Sequence, residues 1–245
     1  MLKYPLSTLL YIAKINIKDT IKDALKLKNN IDIRLTITVK DKNGKIIKQH
    51  KQHSHSFLMN FAAMLATTML NSSGGTANFY YFKSVAGSWY SLYAGAGYNQ
   101  VFAMLDSAND STYGIVVGTG TATPTPNDDN LQNQIANGTS TGQLVYGSHS
   151  ISPAPGTSTL NAGTTTPTSG VLTPSGNTTS FQVSRTFQNQ SGASITVSEV
   201  GIIAGVLTPA TGTTYVLIIH DLLSSAITIP NNGVMAITYT ISVST

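Results

Sequence analysis

The chain has 245 residues, enough for a substantial core, yet only 10% of them are charged, against roughly a quarter in an ordinary soluble domain. It contains no cysteine and a single glutamate, Glu199, which excludes disulfides and thiolate chemistry and argues against a body built of solvent-facing helices. Residues 1–55 carry twelve Lys and Arg against four Asp, a net +8, while residues 56–245 carry two against six acids, a net −4. A basic arm on a mildly acidic body points to DNA, anionic lipid or an acidic neighbouring subunit as its contact.

Residues 5–28 place Leu6, Leu9, Leu10, Ala13, Ile17, Ile21, Ala24 and Leu25 at helical spacing, which predicts an amphipathic helix. Lys14, Lys18, Lys22 and Lys26 form a basic ridge beside that stripe, and with no Trp or Phe present, docking on protein is favoured over a membrane surface. The segment "STLLYIA" is too short for a signal peptide of normal strength and runs into lysines, and no window reaches the length of a membrane span. The expectation is a protein without a transmembrane segment that does not leave the cell by ordinary secretion.

Residues 31–39 alternate strictly, with Ile31, Ile33, Leu35, Ile37 and Val39 on one side, and "DKNGK" follows as a turn into a second strand through Ile46 and Ile47; this predicts a β-hairpin. "HKQHSHS" gathers histidines, of which His53 and His55 share a strand face and are weak metal candidates lacking a visible third ligand. "SFLMNFAAMLATTML" has helical spacing and ends at "NSSGG", a second helix. Residues 77–105 concentrate nine of the nineteen aromatics, including Tyr80, Tyr81, Trp89, Tyr90 and Tyr93, an expected interface patch.

From residue 113 strands and turns dominate. "YGIVVGTGTATPTP" looks at first like a phosphate loop, but no lysine follows its glycines and its prolines oppose a helix there, so no nucleotide or other cofactor is expected. Gly118 and Gly120 are read instead as tight or positive-φ positions, Pro124 and Pro126 as stiffeners, and Asp128 or Asp129 as the cap of a short helix near Leu131. Residues 152–179 read as a long loop or excursion, and four further strands complete the pattern of an antiparallel β-sandwich or open barrel. Arg185 and Glu199 flank the "NQSGAS" turn and are expected to pair across a hairpin. His220 and Asp221 are adjacent on a strand, so they face opposite ways and cannot form a catalytic dyad.

The stretches "YGIVVGTGTATPTPNDDNLQNQIANG", "FQVSRTFQNQSGASITVSEVGIIAG" and "LIIHDLLSSAITIPNNGVMAITYTISV" occur in an order that resembles a diffuse family of virion structural proteins of tailed bacteriophages and archaeal viruses. His220 stands where that pattern often has an arginine before the aspartate, here Asp221. The resemblance implies a multi-copy component of a tail, neck or portal-adaptor assembly without enzymatic chemistry, located in the virion, with other virion proteins as partners.

Together these readings predict a mainly β chain: an N-terminal helix and basic hairpin arm over 1–55, a helix and aromatic-rich interface region over 56–112, and a jelly-roll-like β-sandwich over 113–245. A homo-oligomeric ring or tube is the expected state. A tail-tip or spike module binding host glycan, and a cellular surface-filament subunit, are the alternatives.

Overall fold

The computed structural model describes residues 30–54, 57–69, 81–91, 104, 107–153, 172, 174–208 and 212–244. The expected helix at 5–28 with its lysines Lys14, Lys18, Lys22 and Lys26, and the residues His55, Tyr80 and Tyr93, lie outside the described residues. The fold is mainly β, with every strand pair antiparallel.

In chain order the elements are β1 Asn30–Lys40, β2 Ile46–His53, helix α1 Met59–Met69, β3 Tyr81–Lys83, β4 Trp89–Ser91, β5 Gly114–Gly118, β6 Val145–Ser152, β7 Thr178–Gln188, β8 Ile195–Thr208, β9 Gly212–Ile229 and β10 Val234–Ser244. A five-stranded sheet runs β2-β1-β10-β7-β6, a three-stranded sheet β5-β8-β9, and β3-β4 form a separate ribbon. Residues of both larger sheets, among them Ile37, Phe187 and Tyr239 from the first and Val117, Ile202 and Ile219 from the second, join in one core.

The alternation of β1 does what its period requires: Ile33, Leu35, Ile37 and Val39 are buried and the residues between them are not. The turn after it closes as the sequence suggests, with the Asp41 carboxylate accepting from the backbone of Asn43 and Lys45 and with Gly44 at φ 80°, the left-handed geometry glycine adopts without strain. The hairpin is not, however, an arm projecting from the body. β1 pairs with β10 along its whole length, from Asn30↔Ser244 to Lys40↔Val234. The boundary after residue 55 therefore leaves one strand pair of the five-stranded sheet on the N-terminal side and the strands it pairs with on the other.

Helix α1 forms where the spacing places it, and Asn60 fixes it. The Asn60 side chain donates to the carbonyls of Lys83 and Leu217 and accepts from the Lys83 amide, all at 2.9 Å, tying α1 to β3 and β9. The short helix expected near Leu131 is absent; residues 126–136 form two turns joined by irregular chain. Three of its amides are engaged elsewhere: those of Gln132 and Asn133 bond the Glu199 carboxylate and that of Ile135 bonds the Val117 carbonyl, so these three cannot close a helical turn.

The "NQSGAS" turn does not close a hairpin either. It carries the chain from β7 in one sheet to β8 in the other. Asn189 holds the crossing: its amide donates to the carbonyls of Ala193 and Ile229 while its oxygen accepts from Ser191.

Candidate functional site

The glycine-rich loop after β5 lies over an ionic cluster. Glu199, at 1% exposure, faces Gly118 in the β5–β8 register. Its Oε1 accepts from the amides of Gly120 at 2.9 Å and Asn133 at 2.8 Å, and its Oε2 from the amide of Gln132 at 3.0 Å and His220 Nε2 at 2.9 Å. The other ring nitrogen of His220, Nδ1, is 2.7 Å from Asp128 Oδ2, and Asp128 also accepts from the Thr125 amide and hydroxyl. Three strands and one loop thus converge on a carboxylate-imidazole-carboxylate chain.

The electrostatics follow from this bonding. Burial opposes charge on His220, but the hydrogen bonds and charges of Glu199 and Asp128 outweigh it and raise its pKa. Burial likewise acts to raise Glu199 and Asp128, yet the donors around each hold both below the ordinary carboxylate value. An ionised carboxylate only accepts, so below the raised pKa of His220 both ring nitrogens donate and the ring is an imidazolium. With neither nitrogen open, His220 is a clamp and not a proton shuttle.

Gly118 and Gly120 serve this clamp by closeness. Neither has positive φ; a methyl group on either would overlap the Glu199 carboxylate, and on Gly120 also the Gln132 side chain. Of the two geometries expected for these glycines, the structure has the tight one. Pro124 stands in the turn just before Thr125, whose amide binds Asp128, and the Pro126 carbonyl accepts from the Met59 amide of α1 at 3.0 Å. Asp129 caps no helix and meets Lys83 of β3 at 2.6 Å. The loop is therefore fastened to β8, β9, α1 and β3 at once.

Arg185 and Glu199, expected as a pair, are separated into different sheets. Arg185, at 1% exposure, donates to five carbonyls: Gly147 through Nε, Tyr113 and Ile115 through Nη1, Ser107 and Asp110 through Nη2. These use all five guanidinium N–H donors, and the cation lies 4.7 Å from the Tyr146 ring centroid, within cation–π range. The group fastens residues 107–115 against β6 and β7. Sequence reasoning missed His149, whose Nε2 accepts from the Ile115 amide at 2.8 Å, and Tyr146, whose hydroxyl donates to the Ile135 carbonyl at 2.6 Å; the alternation of "LVYGSHS" was their only signal.

Asp221 turns away from His220 and accepts from the buried Tyr239 hydroxyl at 3.0 Å. Burial, reinforced by that carboxylate, pushes the Tyr239 pKa well up. His53 Nδ1 is 2.9 Å from Asp32 Oδ1, and among the described residues no group of three His, Asp or Glu is arranged to hold a metal ion. On the β3-β4 ribbon Tyr81 and Trp89 are 61% and 55% exposed, Tyr90 is half-buried and Phe82 is buried. No helix among the described residues is long and apolar enough to cross a membrane. Comparisons with protein-family models, curated proteins and solved structures gave no match to this chain.

Proposed function

We propose that the protein is a structural subunit of a virion, present in many copies in a tail, neck or portal-adaptor assembly, and that it acts through contacts between subunits. In this reading the body is a β-sandwich of jelly-roll type. The observation that carries it is the use made of the motif residues: Gly118, Gly120, Asp128, Arg185, Glu199 and His220 all serve internal fastening. Residues combined in this way suit a rigid building block better than a reaction centre.

The test is particle mass in solution followed by electron micrographs of any large species. A ring or tube of defined mass is the expected result; a monomer at every concentration, alone and with other virion proteins, would count against the reading. A glycan-binding tip module is favoured only by the exposed Tyr81 and Trp89. Retention on host polysaccharide that is abolished by Trp89→Ala would shift the assignment to it.

A further inference from the structure

The positive charge of the described residues is gathered on the β1-β2 hairpin. Arg34, Lys40, Lys42, Lys45, Lys48 and Lys51 are all exposed there, against Asp32 and Asp41. The two remaining lysine or arginine residues are Lys83, bound to Asp129, and buried Arg185. Cross-strand register sets Arg34 beside His53 and Thr36 beside Lys51. These four residues and Gln52 line a shallow depression of about 150 Å³. Asp32 engages Nε of Arg34 at 2.8 Å and Nδ1 of His53 at 2.9 Å, so it holds both groups in place at the rim.

Inland of this cluster the same rows continue across the sheet: Arg34 to Thr240 and Gln182, and Thr36 to Thr238 and Ser184. Cations at one edge with hydroxyl and amide groups beside them are the side-chain set that contacts nucleic-acid phosphates. The inland rows carry no aromatic ring to stack on a base, which disfavours base readout; exposed Ile46 and Ile47 stand at the turn end of the hairpin, two side chains being too few to anchor it in a bilayer. An acidic protein partner would gain little from a run of neutral hydroxyls next to the cations.

We infer that the outward face of the β1-β2 edge, centred on Arg34, Lys51 and His53, binds the phosphate backbone of nucleic acid without regard to sequence. The contact rests on the surface alone and holds whether or not the protein assembles into rings.

The experiment is fluorescence anisotropy of a labelled mixed-sequence DNA duplex with the full chain across a salt titration. Wild type, R34Q/K51Q and the single variant K51Q, which removes one contact of the outward face, are compared, with circular dichroism confirming the fold of each. Binding by wild type weakens steeply with salt, and loss of two phosphate contacts makes the log–log slope shallower by about two, since each contributes roughly 0.9. A second duplex of unrelated sequence binds equally. The inference is overturned if wild type shows no salt-dependent binding, if both folded variants keep the wild-type slope, or if anionic vesicles or poly-glutamate are bound in preference to the duplex.

Discussion

His220 donates to a carboxylate from each ring nitrogen, so the proton that completes the pair of bonds is part of the fold. Because its pKa is raised, its contribution is fully present below about pH 6.5, the unfolded imidazole value, and is lost as pH rises through the folded one. Glu199 and Asp128 are depressed, so theirs is present above about pH 4 and is lost as pH falls through their folded values. The groups facing the ring are those two carboxylates, with the Lys83–Asp129 pair on the same loop. Urea midpoints measured across pH should therefore peak in the mildly acidic range and decline on both sides. His220→Gln should remove the alkaline decline; a midpoint in the wild type that is flat above neutrality would contradict the clamp. Glu199→Gln keeps the shape but leaves the buried imidazolium with one carboxylate, and by analogy with other broken buried pairs it should cost about 3 kcal/mol.

At the scale of elements the same side chains decide which segments meet. Arg185 satisfies five carbonyls from the segments 107–115 and 147, and no other side chain has five donors in one rigid plane. Arg185→Lys keeps the charge yet offers three donors, leaving at least two of the five carbonyls without their charged partner, in a site where the Ile115 bond is buried and the other four are part-buried. A loss of about 2 to 4 kcal/mol is expected from unmet desolvation costs alone, read as a lower urea midpoint with unchanged slope. Composition already singled out Arg185 and Glu199, one of two cations and the only glutamate after residue 55. Their partners were not legible, because "NQSGAS" has the residues of a hairpin turn whether it joins neighbouring strands or, as here with Asn189 bridging to Ile229, crosses between sheets. Period-2 alternation, by contrast, located β1 directly, period-3.6 spacing α1, the turn signal β2 and the apolar run β5. The Leu131 segment failed for the opposite reason: its local sequence favours a helix, and a carboxylate distant in sequence takes its amides.

For the molecule as a whole, the basic hairpin of β1 and β2 divides the charge but not the fold. Charge asymmetry suggested an appendage, and the hydrophobic alternation of β1 read alone could not say which strand would cover it. The pairing with β10 settles the matter: Ile33, Leu35, Ile37 and Val39 are at most 2% exposed and belong to the common core, so the hairpin's cations are carried on a structural strand. Leu35→Ala should thus behave as a core truncation and cost about 2 to 5 kcal/mol, whereas Thr36→Ala on the outward side should stay within roughly 0.5 kcal/mol. A chain beginning at Ser56 loses all four core residues and leaves the full edge of β10 unpaired, a template for aggregation. It should give no cooperative unfolding transition by circular dichroism, and a cooperative transition of wild-type slope from that chain would show that β1 is dispensable. The consequence for the nucleic-acid contact is direct: its charges can be removed by substitution on β1 and β2 but not by deleting them.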